Sequence, residues 1–229
     1  MNPPVVLTIA GTDSGGAAGI AADLTTFAAL GVHGACVVTA VTAQDTTGVR
    51  AIHPVPHDVV VAQLDAVLED LDPVAVKTGM LATPEVVRLV AERCAGRILV
   101  VDPVLVATSG AVLGSADVVR AYREHLLPVA TVATPNEDEF VALGRPSGAN
   151  VLVTRGGDIA TTNDHGTGCT HSSALASYLA HGDDLTTAAA RADAFVARQL
   201  HLSRDWTLGR GRGPVAHLQP APPTQGAPA

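Results

Sequence analysis

The sequence predicts an α/β protein with a mostly parallel central sheet and helices on both faces of that sheet. Short β-branched runs alternate with segments of helical period along the chain, and this alternation is typical of parallel strands joined by helical crossovers. Apolar residues make up 47% of the 229 residues and aromatic residues only 3%, so Ala, Val and Leu must build the core. Strands that are buried on both faces have this composition.

The predicted strands and helices continue to about residue 218 and form one domain, residues 1–218. The predicted strands are 5–10, 35–41, 74–77, 98–101, 131–134 and 151–154. The predicted helices are 18–30, 58–71, 84–94, 116–126, 137–143, 168–180 and 185–201. Residues 219–229 are rich in Pro, Ala and Gln, and we expect this tail to be disordered.

Bulk properties exclude several classes of protein. A formal net charge of −8 argues against a nucleic-acid groove, which requires a basic face. The three cysteines are Cys36, Cys94 and Cys169; an odd, scattered set without a CxxC pair argues against a disulfide framework or a structural zinc site. The N-terminus lacks the pattern of a signal peptide, and no apolar run reaches the length that spans a membrane. We therefore expect a soluble cytoplasmic protein.

A polar or glycine-rich segment follows each of the six predicted strands. These segments are 11–13, 43–45, 78–80, 102–103, 135–136 and 155–157. Parallel folds bind their ligands at the carboxyl ends of the strands, so the six segments together predict one site on one rim of the sheet.

The segment HGTGCT at 165–170 predicts an anion site. Glycines stand where backbone must approach a ligand, and a predicted helix follows directly; free N–H groups and the helix dipole then favour a phosphate. A glycine-rich turn without a ligand is the alternative. The segment is not a Walker loop, because the chain contains no GK[ST]. GTDSGG at 11–16 does not have the spacing of a dinucleotide fingerprint.

Several single residues on this rim allow both a functional and a structural interpretation. Cys169 stands at a helix start, where its pKa can be lowered for work as a base, but it can equally be a small buried hydrophobe. Asp102 and Glu139 offer the oxygens that Mg²⁺ prefers. Asn136 and Glu139 can instead cap a helix. Asp23 either accepts hydrogen bonds from a ligand or is solvated.

The substrate end of the predicted site has two further candidates. Gln44 carries both a donor and an acceptor, as recognition of a heteroaromatic ring edge requires, and Met80 can supply an adaptable apolar wall.

Seven motifs, taken in order, resemble the hydroxymethylpyrimidine/phosphomethylpyrimidine kinases of thiamine biosynthesis, which belong to the ribokinase-like superfamily. The resemblance runs from about residue 5 to residue 218. The motifs are GTDSGG at 11–16 with AGI at 18–20 and ADL at 22–24, TAVTAQ at 39–44, KTGML at 77–81, VDPV at 101–104, TPN at 134–136, HGTGCT at 165–170 and GRGPV at 211–215. Seven motifs in register are far more specific than any one of them.

The resemblance implies phosphorylation by ATP and Mg²⁺ of 4-amino-5-hydroxymethyl-2-methylpyrimidine and then of its monophosphate, in a homodimeric enzyme. It assigns site residues by role. Gly11, Asp23, Gln44 and Met80 would bind the pyrimidine; Gly166, Thr167, Gly168 and Cys169 would form the anion hole, with Cys169 as the base; Asn136, Arg155 and Thr170 would bind ATP; and Asp102 and Glu139 would serve the metal.

The sequence also departs from the family pattern. Arg155 stands where the family has a lysine, and segments 144–150 and 158–164 are shorter than the family's. Two alternatives therefore stay open: a pyridoxal kinase, which shares a similar Gly-Thr-Gly turn, and a pyrimidine-binding regulatory protein that has lost phosphoryl transfer. Gln44 and the KTGML segment favour the pyrimidine over pyridoxal.

Overall fold

A six-stranded parallel sheet forms the centre of the protein, as a computed structural model describes it for residues 2–106, 110, 113–147, 150–154 and 159–217. The strand order is β2-β1-β5-β6-β7-β8, and every neighbouring pair is parallel. The six strands are β1 (Val5–Ala10), β2 (His33–Val38), β5 (Ala75–Thr78), β6 (Ile98–Val101), β7 (Val132–Ala133) and β8 (Asn150–Val151). Because the order reverses at β1, a crevice opens outside the carboxyl ends of β1 and β5.

Helices cover both faces of this sheet, as the sequence predicts. They are α1 (Gly19–Ala29), α2 (His57–Asp70), α3 (Pro84–Arg93), α4 (Ala116–Ala121), α5 (Glu137–Ala142), α6 (Thr167–Ala180) and α7 (Leu185–Ser203). Successive strand residues point to opposite faces. Leu7 and Leu99 pack in one core with α2, α3 and α4, whereas Val6 and Val100 pack in the other core with α1, α6 and α7. The predicted fold class is confirmed.

One predicted strand is wrong in extent, and one hairpin was missed. Instead of a single strand at 35–41, β2 ends at Val38 and is followed by β3 (Ala40–Asp45), which pairs antiparallel with β4 (Gly48–Pro54). The two form a separate hairpin beside the main sheet. Gln44 therefore lies in a strand of the hairpin and not in a loop after a sheet strand. Most of β4 is exposed, so its sequence lacks the apolar alternation that marks a strand.

Other boundaries differ less. The helix predicted at 116–126 is α-helical to Ala121 and continues as a π-helical turn, Tyr122–Leu126, and a 3-10 turn, Leu127–Val129. The last strand ends at Val151, with one further bridge between Asn136 and Thr154. The predicted disordered tail, 219–229, lies outside the described residues. None of the described helices is long and apolar enough to cross a membrane.

Residues 209–217, which we call the C-terminal strap, connect the hairpin to the start of α6. The hydroxyl of Thr46, in the hairpin turn, accepts hydrogen bonds from the N–H groups of Arg210 (3.0 Å) and Gly211 (3.1 Å). Farther along, His165 N–H donates to Gly213 O (3.0 Å), and the Arg212 guanidinium pairs with Asp164. The strap thus ties two sides of the crevice together.

We expect Gly213→Ala to lower the free energy of unfolding by about 1–3 kcal/mol, because overpacking has this effect in a filled site. A Cβ on Gly213 would overlap the Asn163 amide, whose Nδ2 already donates to the carbonyls of Arg204 and Trp206. Urea unfolding followed by the emission of Trp206, the single tryptophan, measures the loss. In the Gly168→Ala control, no described atom lies within 4 Å of the new Cβ. Equal midpoints for the two variants would contradict the prediction.

Candidate active site

A cleft of about 1150 Å³ lies at the carboxyl ends of the strands. Residues from the loop after β1, from the hairpin, from the loop after β5 and from the segment before α6 line one end, which we call the hairpin end: Gly11, Thr12, Thr42, Gln44, Met80 and His165. Residues after β8 and on α7 line the other, the β8 end: Thr154, Ile159, Thr161, Ala189, Val196 and Leu200. The segments after β6 and β7, which carry Asp102 and Glu139, come between β5 and β8 in the strand order, and these two residues and the first turn of α6 also line the cleft. The single site that the sequence predicts on this rim is therefore present.

The N-terminus of α6, where the sequence predicts an anion site, begins with a glycine cap. Gly166 is the N-cap with a left-handed φ of 88°, and among the described residues no side chain caps this helix. Thr167 N–H donates to Asp164 O (3.2 Å), whereas the N–H groups of Gly168 and Cys169 have no partner within the helix and can face a ligand. A Cβ on Gly166 would overlap the carbonyl oxygen of Ala17, so both φ and close packing require glycine here. Thr167, Gly168 and Cys169 complete the predicted anion hole and line the cleft.

The sequence expectation of a lowered pKa for Cys169 is wrong. Burial raises the pKa of the Cys169 thiol to about 12; Lys77 opposes this shift, while Asp102 and Asp23 add to it. Loss of hydration is the largest cause of the shift, because burial disfavours the charged thiolate. Cys169 is therefore a protonated thiol near neutral pH.

Asp23 is not among the described residues that line the cleft, and its contact with the pyrimidine stays a prediction. The residue is fully buried. Its carboxylate accepts hydrogen bonds from Lys77 Nζ (2.8 Å), Thr8 Oγ1 (2.6 Å) and Ser173 Oγ (2.7 Å). Since α1, β1, β5 and α6 each supply one of these residues, the cluster ties α1 and α6 to the face of the sheet that they cover.

Lys77 extends this cluster to the cleft. Its Nζ lies 3.9 Å from Asp102 Oδ2, which also accepts a hydrogen bond from Ser172 Oγ (3.0 Å). Burial lowers the pKa of Lys77, but Asp23, Cys169 and Asp102 outweigh it and hold that pKa above the usual value. A fixed positive charge therefore lies under the anion hole. The sequence analysis missed Lys77, although a single lysine in an apolar strand is a signal for a buried ion pair.

Asp102 and Glu139 place two carboxyl groups in the middle of the cleft. Glu139 Oε1 accepts from Leu105 N–H (3.2 Å) and Oε2 from Asn136 N–H (2.9 Å). Burial and the neighbouring Asp102 raise the pKa of Glu139 to about 7, and burial also raises the pKa of Asp102. Two carboxyl groups that resist ionisation together suit a divalent cation, and Mg²⁺ takes one or two carboxylates plus phosphate and water.

We expect the contribution of Glu139 to the free energy of unfolding to fall as pH rises from about 4.5 to about 7. Burial lowers the pKa of His171 and of His217, and these two residues contribute in the opposite sense, so the contribution of Glu139 is the difference between the wild-type protein and Glu139→Gln. Over this window the folded protein retains the Glu139 proton that the unfolded chain has released, so the folded state binds more protons and stability decreases with pH. Urea unfolding at a series of pH values measures the slope. Glu139→Gln is the matched control, because glutamine also serves at this capping position. The same slope in both proteins would contradict the assignment to Glu139.

Asn136 combines both interpretations that the sequence leaves open. Its Oδ1 accepts a hydrogen bond from Glu139 N–H (2.9 Å), and Glu139 Oε2 accepts one from Asn136 N–H. The two bonds form a capping box at the start of α5. Helix capping is therefore confirmed. The cap uses the amide oxygen, so Asn136 Nδ2, which lies at the cleft, can still donate to a phosphate.

At the hairpin end, Gly11, Gln44 and Met80 all line the cleft as predicted. Met80 is held over Gly11, where a Cβ would overlap its terminal methyl group, and Thr39 Oγ1 donates to the Met80 carbonyl (2.6 Å). A flat apolar ring fits such a wall. The role of these residues in binding stays a prediction.

The sequence also predicts that Thr170 and Arg155 bind ATP. Thr170 is fully buried, and its hydroxyl donates to Gly166 O (2.8 Å) and lies 2.8 Å from His217 Nε2. The hydroxyl is thus shared between the turn and the C-terminal strap, and Thr170 is not among the described residues that line the cleft; its contact with ATP stays a prediction. Arg155 lies outside the described residues.

The sequence analysis also gave no role to His165 and Asp13, although both stand inside quoted motifs. His165 Nε2 lies 3.1 Å from Asp13 Oδ2 and 3.1 Å from Gln44 Nε2. The three residues belong to three motifs separated by up to 152 positions, so only the fold brings them together.

Comparison with known proteins agrees with this geometry. The sequence model of the phosphomethylpyrimidine kinase family matches residues 13–152 and 147–216. A hydroxymethylpyrimidine/phosphomethylpyrimidine kinase of Rhizobium meliloti is 42% identical over 257 aligned positions, which cover 93% of this chain and 97% of the relative. The alignment is longer than the chain, which agrees with the shortened segments.

Solved structures share the fold. The pyridoxal kinase of Staphylococcus aureus in complex with pyridoxal superposes with a TM-score of 0.83 at 31% identity, covering 94% of this chain and 93% of that one. The phosphomethylpyrimidine kinase of Clostridium difficile superposes with a TM-score of 0.73 at 33% identity, covering 85% and 98%. The family match, the relatives near 40% identity and the anion site at α6 together show that this chain belongs to the phosphomethylpyrimidine kinase family, with a ribokinase-like fold.

Proposed function

We propose that the protein transfers the γ-phosphoryl group of ATP to 4-amino-5-hydroxymethyl-2-methylpyrimidine and then to its monophosphate, in thiamine biosynthesis. The observation that carries the proposal is the position of the α6 N-terminus. It lines the same cleft as Gln44 and Met80, which can hold a ring, and as the carboxyl groups of Asp102 and Glu139.

Each part of the cleft has its own role in phosphoryl transfer. The hairpin end orients the pyrimidine so that its hydroxymethyl oxygen faces Cys169, and the β8 end, with its apolar α7 wall, receives the nucleotide. The oxygen forms a bond to the γ-phosphorus while the bond to the β-phosphate oxygen breaks. ADP leaves, and the hydroxyl proton passes to an oxygen of the transferred phosphoryl group and from there to solvent. The N–H groups of α6 and the charge of Lys77 stabilise the negative charge that spreads over the phosphoryl oxygens.

Asp102 and Glu139 would hold Mg²⁺, which neutralises charge on the phosphates when it is bound. We propose that Cys169 is not the base that the resemblance to the family implies. A protonated thiol cannot accept the hydroxyl proton, and phosphoryl transfer depends on positioning more than on a base. We therefore assign Cys169 the positioning of the hydroxyl.

We expect Cys169→Ala to lower kcat by roughly 10²-fold, in the range that a positioned group contributes, while the Kd of the pyrimidine stays within about threefold. Steady-state kinetics and calorimetric titration separate the two quantities. Cys36→Ala, at a half-buried cysteine that does not line the cleft, is the control. An equal loss of kcat and binding would show that Cys169 is structural.

Turnover assays decide the function. ADP release is measured with hydroxymethylpyrimidine, its monophosphate and pyridoxal, and we expect both pyrimidines to be phosphorylated. Pyridoxal kinase is the second candidate, which the pyridoxal kinase superposition favours; turnover of pyridoxal alone would establish it. Binding of pyrimidine without any turnover would identify a regulatory protein. We further propose a cytoplasmic homodimer, which sedimentation and cell fractionation test.

A further inference from the structure

The donors and acceptors around Asp13 determine which atom of Gln44 faces a ligand. The Asp13 side chain is buried, and its oxygens accept from the N–H groups of Gly15 (2.8 Å), Ala18 (2.9 Å) and Ala17 (3.2 Å). Burial raises the pKa of Asp13, but His165 and the N–H groups of Gly15 and Ala18 outweigh it and hold that pKa below the usual value. An ionised carboxylate can only accept hydrogen bonds.

His165 must therefore donate to Asp13. Its Nε2 lies 3.1 Å from Asp13 Oδ2, and a ring nitrogen that carries a proton has no lone pair to accept another hydrogen bond. The Gln44 amide also lies 3.1 Å from this nitrogen, with Nε2 as the near atom. Two donors would then face each other. A half-turn of the amide places Oε1 there instead and makes the contact favourable.

We propose that Asp13 and His165 hold the Gln44 side chain with its oxygen on His165 and its NH₂ group toward the cleft. Gln44 then reads an acceptor on the ligand. Asp13 and His165 are positioning residues, and Gln44 determines specificity. The inference rests on the proposed function in one respect: the acceptor is a ring nitrogen of a 4-aminopyrimidine.

This orientation selects between two closely related rings. A 4-aminopyrimidine presents an unprotonated nitrogen beside its amino group, whereas the 4-oxo ring in its lactam form presents an N–H at that position. A donor that faces another donor in a desolvated site weakens binding by roughly 10- to 100-fold. The wild-type protein therefore binds the amino ring more tightly than the 4-oxo analogue.

The Gln44→Glu variant should reverse the preference between the two rings. Glutamate keeps an acceptor on His165 and replaces the donor that faces the cleft by a second acceptor. We expect the Kd for hydroxymethylpyrimidine to rise about 10- to 100-fold and the 4-oxo analogue to become the preferred ligand. Calorimetric titration of both rings measures this. Gln63→Glu, on α2 and bonded to the backbone of Val38 outside the cleft, is the matched control and should leave both values unchanged. Unaltered binding of the amino ring by Gln44→Glu would overturn the proposal.

A second measurement needs neither turnover nor a ligand. Nitrogen-15 NMR of the histidine rings, assigned by comparison with His165→Gln, should show a protonated Nε2 on His165. An unprotonated Nε2 would overturn the proposal. If the wild-type protein shows the protonated Nε2 and the ligand preference but no ADP release, the proposed kinase function fails while the orientation of Gln44 stands.

Discussion

Lys77→Met should lower the free energy of unfolding by about 3–5 kcal/mol, the cost of removing one partner from a buried ion pair. Lys77 and Asp23 are both fully buried, and the two charged atoms lie 2.8 Å apart. Methionine fills a similar volume, but of the hydrogen-bond partners that Asp23 has among the described residues it leaves the hydroxyls of Thr8 and Ser173. Urea unfolding at neutral pH measures the loss.

A double variant separates charge from packing. Lys77→Met combined with Asp23→Leu removes both charges, so we expect it to be more stable than Lys77→Met alone, since replacing a whole buried pair is often tolerated. Arg120→Met removes an exposed charge paired with Asp117 within one helix and should change stability by less than about 1 kcal/mol. A Lys77→Met variant as stable as the Arg120→Met control would refute the importance of the pair.

Gly166→Ala should lower kcat by about 10²- to 10³-fold, the loss seen when a donor of an anion hole is displaced. The added methyl group overlaps the Ala17 carbonyl, and alanine is strained at a φ of 88°, so the first turn of α6 must move. Steady-state kinetics with the pyrimidine and ATP measures the effect, and circular dichroism shows whether the fold persists.

Gly168→Ala gives the contrasting case two residues later. Its Cβ meets no described atom within 4 Å, and alanine is favoured over glycine in a helix by up to about 1 kcal/mol, so the variant should keep its stability. Any loss of kcat there comes from the methyl group in the cleft itself. If Gly166→Ala retained wild-type kcat, the anion-hole assignment would be wrong.

The sequence was enough to predict most of the architecture, because periodicity reports the burial of each face. The runs at Val5–Ala10 and Ile98–Val101 are strands as predicted, and Gly19–Ala29 is a helix. The hairpin strand Gly48–Pro54 was not predicted. Most of this strand is exposed, so its sequence does not show the alternation of apolar and polar residues by which a strand is recognised. Motif order was sufficient to identify the family, which the comparisons confirm.

What the sequence determined by itself is therefore the sheet with its two helix layers, the rim that holds the site, and the anion-binding turn at Gly166. The tertiary structure alone decided which polar residues reach the cleft. Asp23 forms a buried ion pair with Lys77, and burial raises the pKa of the Cys169 thiol. His165 contacts both Asp13 and Gln44. Each outcome depends on charged groups and hydrogen-bond partners that lie far away in the sequence but close in the fold. A local sequence pattern does not show which of these groups become neighbours.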